Sequence, residues 1–253
     1  MIVLGYSLAL LIGISLGLLG GGGSILTVPV LHYILGYEVK AAVPMSLVVV
    51  GITSAFGALA HWKAGTLHLR TALSFGPAAI LGALLGADLG LKASPRLQLL
   101  VLAVVMLAAA VTMFYGSVFL SASTATTATI PITGGRLPLI PLVGGAVGVL
   151  TGFAGVGGGF IYVPALVVLG GLPMRKAVGT SLALILLSCI AGVIRYHGTL
   201  AMDWRAIALF TAIALVGVAI GARLVSKVSQ TVLRRGFAVL VLGMGALLLL
   251  IGR

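Results

Sequence analysis

Long apolar runs, most of them closed by a short cluster of basic residues, set the rhythm of the chain. Runs at 41–60, 71–91 and 97–117, and again at 177–194, 206–222 and 236–252, each approach the ~20 residues an α-helix needs to cross a hydrocarbon core. None shows the strict polar–apolar alternation of a barrel strand. Two further stretches, near 2–36 and 137–172, stay apolar for more than thirty residues but are interrupted by glycine. They are too long for one straight crossing and too short for two comfortable ones. The pattern predicts an all-α integral membrane protein in which two segments are broken at glycine-rich stretches, with re-entry as one way to accommodate the break.

Composition agrees. Of 253 residues, 61% are hydrophobic and 7% charged, and the mean hydropathy is +1.31, outside the range of soluble domains. The N-terminus lacks the basic region of a cleaved secretory signal, so residues 1–20 read as part of the mature fold. A net charge of +12 would suit nucleic acid, but the basic residues are scattered among short loops, where they orient membrane helices instead. The expected partner from composition is therefore the bilayer, not nucleic acid; nothing indicates a homo-oligomer. Cys189 is the single cysteine, which excludes an intrachain disulfide and leaves a structural thiol. With three acidic residues the chain offers neither a paired-carboxylate active site nor an acidic metal cage. The glycine runs lack the Gly-Lys-Ser/Thr of a nucleotide loop. The reading is no enzyme, no cofactor and no metal.

The chain is written twice. Pro164 follows Pro29 by 135 positions, and at that spacing Gly17, Gly20, Gly22 and Gly23 fall on Gly152, Gly155, Gly157 and Gly158. Ser46 falls on Ser181, Arg70 on Arg205, Gly86 on Gly221 and Lys92 on Lys227. The organisation read from this is a first repeat at 1–118, a Ser/Thr/Ala-rich linker at 119–135 and a second repeat at 136–253. Each repeat holds one broken segment and three ordinary spans. Lys and Arg divide nine against six across the membrane whether the broken segment crosses once, giving parallel halves, or folds back, giving inverted ones. Both counts put the termini outside the cytoplasm. Taken half by half, the bias has the same sign in both repeats only for parallel halves, and the expectation leans that way.

Glycine costs about 1 kcal/mol and proline about 3 kcal/mol relative to alanine inside a helix. "LLGGGGSILTVPVL" (18–31) and "GFAGVGGGFIYVPAL" (152–166) therefore predict breaks, which lipid tolerates only where the freed backbone is buried in protein or lines a cavity. Close helix packing would explain one such stretch. Two at matching places point to a substrate site between repeats. Helices restarting near Ser24 and Phe160 would present unpaired N–H groups and a positive dipole end, a setting for a small anion. The candidate substrate residues are Gly20, Gly21, Gly22, Gly23, Ser24, Pro29 and Ser46, with Gly155, Gly157, Gly158, Gly159, Pro164, Thr180 and Ser181. Serines in membrane helices also bond their own or a neighbouring backbone, and Thr53-Ser54 and Ser188-Cys189 repeat in the same way.

Four ionisable residues are candidates for coupling or gating: His32, Asp88, Lys63 and Arg195. Asp88 lies late in its span and aligns with Arg223, which suits either a proton carrier or an interfacial ion pair. His32 can titrate, but a lone helix histidine is commonly structural. "HWK" (61–63) and "RYH" (195–197) read as interfacial anchors, with an electrostatic funnel for anions as the alternative.

The paired motifs "GLLGGGGSILTVPVL" with "AAVPMSL", and "GFAGVGGGFIYVPAL" with "KAVGTSL", resemble the signatures of the TauE/SafE sulfite exporter family, also called the toluene sulfonate uptake permease family. The resemblance spans essentially the whole chain. It implies a multi-pass carrier in the bacterial or archaeal inner membrane for sulfite, thiosulfate, sulfonates or sulfoacetate, with the glycine, proline and Ser46/Thr180-Ser181 positions as site residues. The leading expectation is a secondary transporter working by alternating access. The alternative is an anion channel using the broken helices as a filter.

Overall fold

The computed structural model describes residues 2–21, 23–121, 139–155, 157–168, 172–196, 202–224, 232, 239 and 242–243. Its helices are α1 (Ile2–Leu19), α2 (Ser24–Pro29), which a π-helical turn (Val30–Ile34) continues, α3 (Val39–Lys63), α4 (Leu69–Lys92), α5 (Pro95–Ser121), α6 (Leu139–Ala154), α7 (Gly159–Val168), α8 (Met174–Tyr196) and α9 (Trp204–Leu224). The described residues contain no strand. α3, α4, α8 and α9 are each long and apolar enough to cross a membrane. At 1.5 Å per residue, the 25 residues of α3 reach about 37 Å, past the ~30 Å hydrocarbon core. Of the earlier expectations, Gly22, the linker from residue 122 onward and nearly all of the 236–252 span lie outside the described residues.

Close approaches between glycines and their neighbours fix the direction of each helix. On α1 and α9, Gly13 lies against Ala214 and Gly17 against Val218 and Ala222, so these two helices run parallel. On α4 and α6, Phe75 meets Gly144, Ala79 meets Gly148 and Ala83 meets Gly152, again parallel. α3 and α8 run antiparallel, with Leu47 on Gly192, Gly57 on Leu182 and His61 on Gly179. At the far end of the first broken segment, Leu35 packs on Gly5 near the start of α1. α1 therefore runs into the membrane from the N-terminal face, the chain turns at the glycines, and α2 with its π-helical turn returns to the face from which α1 set out.

Each half thus consists of a hairpin that does not cross and the helices that follow it. α3 starts on the N-terminal face, as α1 does, and α8 starts on the opposite one. We call the opposite face the linker face, because α5 ends there and α6 begins there. The halves are inverted, which corrects the lean toward parallel repeats. That lean came from basic-residue bias, and the bias does not sort the faces: among the described residues Lys40, Lys92, Arg96, Arg195 and Arg205 lie toward the N-terminal face, and Lys63, Arg70, Arg175, Lys176 and Arg223 toward the linker face.

The halves also interlock. α4 packs along α6 and α9 along α1, each helix seated on the opposite half's hairpin. Small residues make this possible. α4 buries Ala72, Gly76, Ala79, Ala83, Gly86 and Ala87 on one face, and its backbone meets that of α6 so closely that a Cβ at Gly148 would lie 2.2 Å from the Ala79 carbonyl oxygen. Such seams bring helices together in lipid, where no hydrophobic force acts between them. The other faces carry Leu73, Leu81 and Leu85 on α4 and Leu209, Val216 and Ile220 on α9, all exposed as lipid-facing side chains should be.

Candidate functional site

The two glycine loops enter from opposite faces and meet in the middle. Gly20 leaves α1 with φ +68°, and Gly155 leaves α6 with the same +68°. This left-handed conformation costs an L-residue roughly 1–2 kcal/mol, which accounts for glycine at both positions. Gly20 lies against Val178 of α8, and Gly155 against Val43 of α3, the residue that Val178 matches in the repeat. Gly157 reaches Val50 and Ile185, each eleven residues into its 23–25-residue helix, which is mid-membrane. There the backbones touch: a Cβ on Gly21 would lie 2.3 Å from the Cα of Gly159, and one on Gly159 would lie 2.4 Å from the Cα of Gly21.

Two serines pin these loops across the halves. Ser46 Oγ, on α3, donates to the Gly155 carbonyl of the second half. Ser181 Oγ, on α8, stands 2.6 Å from the Gly20 carbonyl of the first half and 2.8 Å from its own Val178 carbonyl. A hydroxyl has one proton to give, so in this state both serines serve backbone carbonyls. Both are fully buried. Ser24 Oγ likewise donates to Gly21 O at 2.6 Å. Thr180 Oγ1 donates to Lys176 O and accepts the N–H of His68, the residue that caps α4, at 3.0 Å. Ser24, Ser46 and Ser181, expected near an anion, are as they stand the braces of the loops, while Thr180 ties α8 to the start of α4.

The helix restarts fall at Ser24 and Gly159. On the first loop, Ser24 N–H takes Gly21 O and Leu26 N–H takes Gly23 O. On the second, Ile161 and Tyr162 N–H both take Gly158 O. Pro29 is buried at the end of α2, where its missing N–H gives way to the π-helical turn, a distortion frequent at functional sites. Pro164 lies within α7, but its side chain is outside the described residues. The second hairpin is further anchored by Tyr162, whose hydroxyl is 2.8 Å from Ser188 Oγ. The first-half counterpart of Tyr162 is Thr27, whose buried hydroxyl has no hydrogen-bond partner.

The ionisable candidates lie away from the loops. Asp88 pairs with Arg195, not with its repeat counterpart Arg223, because α4 ends and α8 ends on the same face. The two side chains are 37% and 52% exposed, a setting in which ion pairs contribute about 0–1 kcal/mol. His32 Nδ1 is 2.7 Å from Tyr37 O and steadies the hairpin exit. Lys63 is exposed on the last turn of α3.

Three features were not singled out beforehand. Lys40 Nζ donates to the carbonyls of Gly90, Leu91 and Ala93 at 2.7, 3.0 and 2.5 Å and so closes the C-terminus of α4; only its position at a span end hinted at this. Tyr37 OH donates to Asp203 Oδ2 at 2.7 Å, while Asp203 Oδ1 accepts the N–H groups of Arg205 and Ala206 as a cap on α9. Burial, then the bond to Asp203, pushes the Tyr37 phenol up to about 12. The same bond and the backbone N–H groups hold Asp203 below the usual carboxylate range. The third is a cleft of about 700 Å³ at the linker face, bordered by His61, Arg175 and Arg223. No metal-binding cluster is present among the described residues.

The long apolar helices define a multi-pass membrane protein. The family model described as "Sulfite exporter TauE/SafE" matches residues 6–248, and the chain belongs to that family. It is similar to a "Probable membrane transporter protein" of Xylella fastidiosa (strain Temecula1), at 31% identity over 237 residues, covering 92% of this chain and 88% of that one. It is also similar to the "Probable membrane transporter protein YdhB" of Bacillus subtilis, at 25% identity over 231 residues, covering 88% and 90%. A Haemophilus influenzae protein of the same description is 32% identical over 107 residues, 40% of each chain. No solved structure matches the chain.

Proposed function

We propose that the protein is a secondary carrier of a small anion, a sulfur oxyanion or organosulfonate such as sulfite, thiosulfate or sulfoacetate. The observation that carries this reading is the meeting of Gly21 and Gly159 in mid-membrane, each loop braced by a serine of the other half. A path that runs between loops held shut against each other needs a change of state to conduct. Inverted halves supply that change by exchanging the inward-open and outward-open forms of one structure. The contact also favours a carrier over a channel, which would keep a continuous bore. In this reading the anion is met by backbone N–H groups at the restarts of α2 and α7 once the loops part, with glycine allowing close approach.

The reading places the protein in the bacterial or archaeal inner membrane. In this reading the linker face is cytoplasmic, the side that takes nine of the fifteen basic residues of the whole sequence in the hairpin form of the count, although those among the described residues divide evenly. The substrate class comes from the family description and from a chain with net charge +12. The test is flux in proteoliposomes with sulfite, thiosulfate and sulfoacetate. Saturable uptake of at least one is expected, and no saturable flux of any of them would overturn the assignment.

A further inference from the structure

The two faces of the molecule differ sharply in charge. The chain has three acidic residues, Glu38, Asp88 and Asp203, and all three lie toward the N-terminal face: Glu38 precedes α3, Asp88 pairs with Arg195 near the end of α4, and Asp203 caps α9. Whatever Arg175 and Arg223 contact at the linker face, it is not a side-chain carboxylate of this chain. Both border the cleft of about 700 Å³, Arg175 on the first turn of α8 and Arg223 on the last turn of α9. His61 lies beside them, 4% exposed, with no hydrogen-bond partner at its buried Nε2.

The repeat offers an internal comparison. Arg175 corresponds to Lys40, Arg223 to Asp88 and His61 to Tyr196. On the N-terminal face the Lys40 ammonium is committed to three carbonyls, Asp88 is ion-paired, and the Tyr196 hydroxyl rests 3.3 Å from Gly152 O. There the same positions are packed and charge-balanced. At the linker face they border the cleft, on a side of the molecule without a side-chain carboxylate.

We propose that this cleft is the anion's docking site at the linker face, where Arg175 and Arg223 hold a sulfur oxyanion or sulfonate before it passes to the glycine loops. The inference rests on the anion-carrier reading and adds its point of entry. A guanidinium suits the role because its fork of N–H donors matches the oxygens of an oxyanion and stays charged at every working pH. A cleft of one sign between apolar helices also concentrates anions at its mouth.

The test is binding of radiolabelled sulfite to the full chain in phosphatidylcholine nanodiscs, with flux measured in parallel. Arg175→Gln and Arg223→Gln are each expected to weaken binding about tenfold, and the double variant more, with a shallower dependence on salt than the parent. Arg175→Lys and Arg223→Lys, which keep the charge, should retain most of the binding and separate loss of charge from loss of fold. Lys40→Gln, the matching change on the other face, should lower the melting temperature and leave sulfite binding within twofold. An anionic headgroup carries the same chemistry, and binding that requires added phosphatidylglycerol overturns the proposal. A double Gln variant that binds sulfite like the parent overturns it too, while the carrier reading stands. A parent that neither binds nor moves sulfite, thiosulfate or sulfoacetate overturns both.

Discussion

Replacing Gly21 by alanine sets a methyl carbon 2.3 Å from the Gly159 Cα and 2.4 Å from its carbonyl carbon. Carbon atoms rest at about 3.5–4.0 Å, so the two loops must part by more than 1 Å. The obstacle is backbone with no flexible side-chain end to swing aside, and overpacking of this kind costs about 1–3 kcal/mol. Gly36 is the control. It also has a positive φ, +79°, but a Cβ there meets nothing within 4 Å, so Gly36→Ala bears only backbone strain of roughly 1–2 kcal/mol. Thermal unfolding in detergent and sulfite flux in proteoliposomes would be read side by side. Both variants should melt earlier than the parent, but only Gly21→Ala should lose transport, by tenfold or more. Parental flux and melting temperature in Gly21→Ala would refute the loop contact and the reasoning built on it.

Three further outcomes are expected. Ser46→Ala and Ser181→Ala each strand a buried glycine carbonyl, so each should cost about 1 kcal/mol in thermal or denaturant unfolding, nearer 0.6 if membrane hydrogen bonds elsewhere are the guide, and each should slow transport by releasing a loop. Asp88→Asn should cost less than about 1 kcal/mol and leave the pH profile of flux unchanged if the residue is an ion-pair partner and not a proton carrier. The Tyr37–Asp203 bond gives a pH signature. Asp203 is lowered in the fold, so its contribution is complete above the usual carboxylate value and fades as pH falls through the folded one; Tyr37, raised to about 12, holds its share below the usual phenol value near 10 and loses it toward 12. The stability difference between the parent and Tyr37→Phe should therefore be flat from about pH 5 to 9 and shrink on either side, and a difference that does not change with pH would contradict the bond.

Much of this architecture is legible in the chain because membrane helices announce themselves by length. The spans read at 41–60, 71–91, 177–194 and 206–222 are helices at 39–63, 69–92, 174–196 and 204–224. The few added residues at each end include Lys40, Lys63, Lys92, Arg175 and Arg223, whose long stems let a helix continue to the interface. The breaks were legible too, since four glycines before a proline leave few alternatives. The direction of the chain after the break was not. It depends on Leu35 meeting Gly5, a tertiary contact to which a tally of basic residues is blind. Ser46 and Ser181 stood out as a pair, but their targets, the Gly155 and Gly20 carbonyls, lie in the opposite halves and follow only from the interlocking of α3 and α8. In the same way, repeat alignment set Asp88 against Arg223, whereas packing set it against Arg195.

The central claim is an anion carrier whose two inverted halves exchange access across touching glycine loops. Counterflow tests it most directly: proteoliposomes loaded with unlabelled sulfite are diluted into labelled sulfite, and the initial uptake is compared with that of empty vesicles. The account predicts saturable uptake that internal sulfite accelerates and that Gly21→Ala abolishes. Uptake that neither saturates nor responds to internal sulfite, accompanied by single-channel current, would contradict it.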